Sequence, residues 1–452
     1  MNLPQLVTAL LAFAVATAPS AKAPDQFATW RAEMRHALYV PDKLPALEPK
    51  VWSTFPPTPG VIADRVTYRT ADGMLVPAIV YRPEEHKGKL PGIVVVNGHG
   101  GDKYSWYAFY SGMMFAQAGA EVVTYDPIGE GERNIDRRSR ASSHDTIIPT
   151  PPGVNADDPG QRLAGLMQVD LMQAVSYLSQ RPEVDPGRIA VVGYSMGAFV
   201  SGIAGALDAR IHAVLLSGGG TFDDEADGGK SFDVGTLPCQ AAPWHALKVL
   251  GPGFHTRGAI LYALNAQRGA MLVENGSMDT VMDIPHRTPE WFAAMHDQTA
   301  RLLESIGAPT TNLFTTHVDP GKSHRTAWVE RPGVAWLNDQ IHFTNWTAAQ
   351  IAVMPTTHIA DWITKNNIPW AITNGYLRED REGGLDALGT NLPGIPRDQL
   401  TVLPNADWQR LKSELIYESW ADKVKAAELG MPRTSLPDNS LSISSSQIAP
   451  VR

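Results

Sequence analysis

The sequence predicts an α/β fold: a mainly parallel central sheet with helices on both faces, carrying one insertion and a C-terminal extension. Three observations predict it. Short strand-like runs at Gly92–Val96, Glu121–Tyr125, Arg188–Val192 and Ala213–Leu216 are mostly apolar, and the continuous Gly92–Val96 has the length and β-branched content of a strand buried on both faces. Helix-length stretches separate them at the spacing of βαβ units. Glycine-rich turns follow several of the runs directly, the strongest being Gly193-Tyr194-Ser195-Met196-Gly197.

In chain order, Leu6 to Ala18 is apolar but too short to span a bilayer, and Ala21-Lys22-Ala23 follows it as a small-residue cleavage pattern, so residues 1–23 read as a secretory signal peptide without a basic n-region. Export to the periplasm or medium is the expectation. Residues 24–59 are proline-rich, with a short helix over Phe27–Leu38. Val66–Thr70 and Leu75–Tyr81 flank Ala71-Asp72-Gly73, a hairpin signal. A helix is expected over Tyr104–Ala118, and the charges of the turn Asp126–Arg133 are expected to be solvated. Asn134–Pro159, with Arg137, Arg138 and Arg140, reads as a loop over the cleft mouth. Leu163, Leu166, Met167, Leu171, Ala174, Val175 and Leu178 mark an amphipathic helix over Gly160–Gln180. Residues 218–269 are too long for an ordinary connection and read as an insertion or lid. Met271–Val273, a helix over Thr288–Ile306, a strand over Thr311–Thr316 and a helix over Thr326–Asn338 complete a catalytic domain over 60–340. Residues 341–431 read as an aromatic-rich extension packed on the core, with a helix over Trp408–Glu428, and 432–452 as a Ser-rich disordered tail.

Bulk properties exclude several classes. With 38 Lys plus Arg against 47 Asp plus Glu, the net charge of −9 argues against nucleic-acid and anionic-membrane binding, leaving a small-molecule or carbohydrate substrate. The single cysteine, Cys239, excludes an intramolecular disulfide framework. No stretch outside the leader is long and apolar enough for a membrane helix, and no ligand spacing points to a metal or cofactor. The oligomeric state is not legible.

A strand, a tight turn and a helix around Gly193–Gly197 form the context in which a serine hydroxyl is lifted clear of a sheet edge, making Ser195 the candidate nucleophile. Such a hydroxyl needs a base, and the base needs an orienting acid. Among thirteen histidines, His324 in the loop after the last core strand fits the base, with His317 as its rival at the strand end. Asp279, in the loop after the preceding strand, fits the acid; Asp223 and Asp224 are the alternative one strand earlier. The backbone N–H of Met196 and one N–H from Gly100-Gly101, with Gly101 preferred, would hold an oxyanion, such donors being worth roughly 3 kcal/mol each.

These motifs carry a resemblance. Asn97-Gly-His-Gly-Gly-Asp102, Asp126-Pro-Ile-Gly-Glu-Gly131, Arg181–Ile189, Gly193-Tyr-Ser-Met-Gly197, Gly276-Ser-Met-Asp279 and Ser323-His324 occur in the order seen in α/β-hydrolases of the dienelactone hydrolase and acetyl xylan esterase kind. The resemblance covers about residues 60 to 340 and implies that Ser195, Asp279 and His324 form a triad and that the His-Gly turn supplies half of an oxyanion hole. Acetyl xylan esterases usually carry a tyrosine where this chain has Gly101 and a glutamine where it has Met196. The implied activity is a serine carboxylesterase acting through an acyl-enzyme on short acyl esters, of the acetyl type found on plant polysaccharide. The alternatives are a peptidase of the prolyl oligopeptidase kind, whose members usually carry a large propeller where only about ninety residues precede His99 here, and a non-catalytic binding protein.

Overall fold

The computed structural model describes residues 25–139, 158–222, 244–251, 256–287, 289–311, 313–368 and 377–430. The leader, Asp223, Asp224, Cys239 and the Ser-rich tail lie outside these residues.

One sheet of nine strands runs through the molecule in the order β1-β2-β3-β5-β4-β6-β7-β8-β9. Its first part is antiparallel: β1 (Lys50–Thr58), β2 (Val61–Arg69) and β3 (Leu75–Pro83), with β3 antiparallel to β5 (Glu121–Tyr125). From β5 onward every pairing is parallel, through β4 (Leu90–Val96), β6 (Val184–Tyr194), β7 (Ile211–Ser217), β8 (Ala270–Gly276) and β9 (Thr315–Asp319). The apolar runs become interior strands because side chains alternate between two buried faces. Val94 and Val96 enter one hydrophobic core, Ile93 and Val95 the other.

The first core lies under α1 (Gln26–Ala37), α3 (Asp158–Gln180), α4 (Met196–Leu207), α5 (Thr256–Ala266) and α6 (Pro289–Ser305); the second lies under α2 (Trp106–Ala118) and α7 (Arg331–Ile341). The 71–73 hairpin forms in the expected register, Arg69 opposite Leu75. β1 falls inside the segment read as an irregular lead-in. Pro56 and Pro57 hide it from pattern reading, and an edge strand tolerates them because it need not donate on its open side. The last core strand lies four residues later than expected, at Thr315 rather than Thr311.

Two further expectations need correction. The 218–269 stretch is not all insertion: α5 is the crossover between parallel strands β7 and β8, which such a connection requires, and it packs on α4 and α6. The single helix expected over Trp408–Glu428 is two, α11 (Asn405–Leu415) and α12 (Tyr417–Gly430), with Ile416 extended between them at φ −83°, ψ 150°. Leu415 and Ile416 belong to the second core and Tyr417, Trp420 and Val424 to the first, so the chain breaks in order to change faces.

Between α7 and α11 run α8 (Ala348–Val353), α9 (Ile359–Lys365) and α10 (Arg397–Leu400), with a two-stranded ribbon of β10 (Thr356–His358) and β11 (Asp386–Leu388). Trp362, Leu388 and Leu403 from this stretch share the second core with Trp106 and Phe109 of α2. Among the described residues no helix is long and apolar enough to cross a membrane.

Candidate active site

The turn from β6 into α4 holds Ser195 at φ 55°, ψ −117°, a sparsely populated conformation that costs of order 1–3 kcal/mol and persists only where its surroundings enforce it. They do. Ser195 N–H donates to Ser217 O at 3.0 Å, and the first turn of α4 returns an N–H from Ala198 to Ser195 O at 2.9 Å. The flanking glycines are required by contact: a Cβ on Gly193 would lie 2.3 Å from Gly197 O, and one on Gly197 would lie 2.3 Å from Val96 O.

His324 and Asp279 are joined, Nδ1 to Oδ2 at 2.8 Å, and both are buried. The second carboxylate oxygen of Asp279 accepts N–H groups from Val281 at 2.9 Å and Met282 at 3.0 Å, which fixes the carboxylate plane. The His324 ring rests on Tyr194, the residue before the serine, with centroids 4.9 Å apart. Gly218 fills the space beside it, since a Cβ there would lie 3.0 Å from the imidazole. The three residues thus gather around the exit of β7. Among the described residues no hydrogen bond joins Ser195 Oγ to His324; such contacts are often long in ligand-free hydrolases and tighten on binding. His317 instead pairs with Asp319, Nε2 to Oδ1 at 2.9 Å, two residues along β9.

The turn after β4 is pinned by Tyr107, whose hydroxyl accepts the Gly98 N–H at 3.2 Å and occupies the space a side chain on Gly101 would need. Gly101 N–H donates to Gly98 O at 2.9 Å, within the turn. That bond counts against the preference for Gly101 as oxyanion donor.

Two supports around the site escaped sequence reading. The charges of the Asp126–Arg133 turn, expected in solvent, are buried: Lys103, Asp126, Glu132 and Arg133 are each 0% exposed. Lys103 pairs with Asp126 and, at 2.9 Å, with Glu132, while Arg133 pairs with Asp170. Glu132 also accepts Val402 N–H at 2.8 Å and Leu403 N–H at 3.0 Å. Arg137, read as part of a loop over the cleft mouth, pairs with Glu132 at 2.6 Å.

The second support is a clamp on the histidine loop. Asp380 O accepts Ser323 N–H at 2.6 Å, Arg381 Nε donates to His324 O at 3.4 Å, and buried Glu382 accepts from Thr326 N at 3.0 Å and Thr326 Oγ1 at 2.7 Å. Burial pushes the Glu382 carboxyl up to about 7, against the pull of its Thr326 hydrogen bonds. A cavity of about 640 Å³ between α6 and β9, lined by Arg287, Phe292, His296 and Phe314, touches neither Ser195 nor His324 and lies apart from this constellation.

A family model described as acetyl xylan esterase matches residues 17–217, and one described as the prolyl oligopeptidase family matches residues 161–351. Among curated proteins, a thiohydrolase of Arthrinium phaeospermum is 27% identical over 154 residues, 34% of this chain and 42% of its own length. The chain spans about two-fifths of the curated relatives it matches, 38% and 42% of the first two. Among solved structures, methylesterase BT1017 is 22% identical with a TM-score of 0.46, over 66% of this chain and 59% of the other. Acetyl xylan esterase 1 from Thermoanaerobacterium sp. is 17% identical with a TM-score of 0.44, over 72% and 95%. The strand order, the serine elbow and the two family matches together support an α/β-hydrolase of the acetyl xylan esterase-like branch.

Proposed function

We propose that this chain is a serine carboxylic ester hydrolase working through an acyl-enzyme, on short acyl esters of the acetyl type such as those on plant polysaccharide. The observation that carries the reading is Ser195 held at φ 55° beside a buried His324–Asp279 pair 2.8 Å apart. Ser195 Oγ attacks the ester carbonyl as His324 Nε2 takes its proton. Asp279, bonded to Nδ1, keeps the imidazole in the tautomer that presents Nε2 as base and stabilises the imidazolium that follows. The oxyanion takes the Met196 N–H at the start of α4 and one N–H from Gly100-Gly101. His324 returns the proton to the leaving alcohol, and water then releases the acid. Export, with residues 1–23 removed, belongs to the same proposal.

Ser195→Ala is expected to lower p-nitrophenyl acetate hydrolysis by at least about 10⁴-fold with an unchanged circular dichroism spectrum. Retained turnover would sink the assignment. The prolyl oligopeptidase-family match over 161–351, which spans both Ser195 and His324, favours a peptidase as second reading. Cleavage of a prolyl p-nitroanilide in preference to acetyl esters would select it.

A further inference from the structure

We propose that Glu274, His317 and Asp319 form a divalent-cation site of the zinc kind across the paired ends of β8 and β9. It is separate from the Ser195 constellation and stands whether or not that serine is a nucleophile. No spacing in the sequence announces it, because sheet register assembles it. Glu274 pairs with His317 and Gly276 with Asp319, and two residues apart on one strand means a shared face. One carboxylate oxygen from each acid and one imidazole nitrogen lie within 4.8 Å of one another.

A second observation points to a ligand. Glu274 is 1% exposed, and its Oε2 has no hydrogen-bond partner. A carboxylate in that position is costly unless a cation or a donor compensates it. Arg325 makes no hydrogen bond to it: the guanidinium bridges Asp319 and Glu330, at 2.8 Å each. Three carboxyl groups therefore share one bridging guanidinium, and none of its hydrogen bonds reaches the buried Glu274 end of the cluster.

The geometry suits a small coordination sphere. His317 Nε2 and Asp319 Oδ1 are 2.9 Å apart. Ligand atoms around a tetrahedral cation, each bonded at about 2.1 Å, stand about 3.4 Å apart, so this pair opens by about half an ångström on binding. Asp319 would bind through Oδ1 alone, its Oδ2 staying on Arg325, and Glu274 would supply the third ligand from below. His317 is 43% exposed on its side chain, so water can enter and fill the remaining position. One imidazole with two carboxylates suits zinc or manganese better than calcium, which prefers a larger set of oxygens.

The expected role is structural. Ser277 N–H donates to Asp319 O at 2.9 Å and Met278 N–H to Lys322 O at 2.8 Å, so the loop that carries Asp279 is fastened to the same strand ends the cation would tie together.

The full chain, stripped with EDTA and desalted, is titrated with Zn²⁺, Mn²⁺ and Ca²⁺ by calorimetry, with metal content read after dialysis. One Zn²⁺ per chain is expected, with Ca²⁺ weakest, and at least a tenfold weaker Zn²⁺ affinity in Glu274→Gln, which keeps the side-chain shape. His317→Gln, on the wetter side of the cluster, is expected to weaken binding similarly and carries the test if Glu274→Gln fails to fold. Absence of stoichiometric Zn²⁺ binding, Zn²⁺ affinity unchanged in the folded variants, or tightest binding of Ca²⁺ would each overturn the proposal.

Discussion

Lys103→Met tests whether the buried charge network behind the 98–101 turn is held by its ammonium. In the native chain Lys103 meets Asp126 and Glu132, all three 0% exposed. Without it, Glu132 keeps Arg137 at 2.6 Å and the N–H groups of Val402 and Leu403. Asp126 keeps only two backbone donors, Lys103 N at 3.3 Å and Glu132 N at 2.8 Å, beside another carboxylate. The orphaned charge is therefore on Asp126. Removing one partner of a buried pair costs about 3–5 kcal/mol, and the two remaining donors place this case near 3 kcal/mol, roughly a hundredfold in the folding equilibrium.

Urea unfolding followed by tryptophan fluorescence and circular dichroism measures the loss. Adding Asp126→Asn to Lys103→Met should recover part of it, because the neutral amide needs no counterion and its oxygen can still accept the Glu132 N–H. The pH dependence has a definite sign. Burial pushes Asp126 up to about 6 even with Lys103 pulling it down, so its folded-state value rises further in the variant. A raised carboxyl favours the folded state while protonated, so the deficit is full above that value and shrinks as pH falls through it. A loss below about 1 kcal/mol at pH 7.5, or one that does not shrink on acidification, would refute the reasoning.

Gly193→Ala is expected to disable the serine elbow, since its Cβ would meet Gly197 O at 2.3 Å and Ser201 Oγ at 2.4 Å; fluorophosphonate labelling of Ser195 should fall at least tenfold, and unchanged labelling would mean that the turn yields. Glu382→Gln should lower kcat about tenfold, roughly 1.4 kcal/mol, with little change in KM, because an amide nitrogen cannot accept both Thr326 contacts that hold the His324 loop. Native Glu382, raised to about 7, favours the folded state at low pH and loses that contribution as pH rises through about 7. The variant should therefore lose this step from its stability profile, and an unaltered profile with native kcat would assign Glu382 to neither role.

The parallel half of the sheet and the residues of the constellation were legible because their signals are local. Ile93 to Val96 alternate between two buried faces, and Ser195, Asp279 and His324 lie one, three and five residues past the ends of β6, β8 and β9. What escaped depends on partners far along the chain. Nothing near Glu132 announces that Val402 and Leu403 will satisfy it, so a turn rich in charge reads as solvated. Glu382 sits in a stretch without periodicity, and its importance comes only from lying against Thr326. β1 is hidden by its prolines, and the break at Ile416 reflects which core lies on each side rather than any helix-stopping residue. The preference for Gly101 rested on motif position, and only the turn's own hydrogen bond to Gly98 counts against it.

The way the last quarter of the chain reaches back has a consequence for the order of synthesis. Glu132 and its Val402 partner are 270 residues apart, and the Thr326 N–H waits for a carboxylate 56 residues downstream. As the chain leaves the ribosome, the Ser195 elbow can form once β7 has followed it, whereas the backbone around His324 lacks its long-range partners until Glu382 emerges, and the Glu132 carboxylate lacks its own until Leu403 does. Domains usually fold from the N-terminus during synthesis. Here the serine turn would be among the early structures, and the surroundings that make it useful would close among the last.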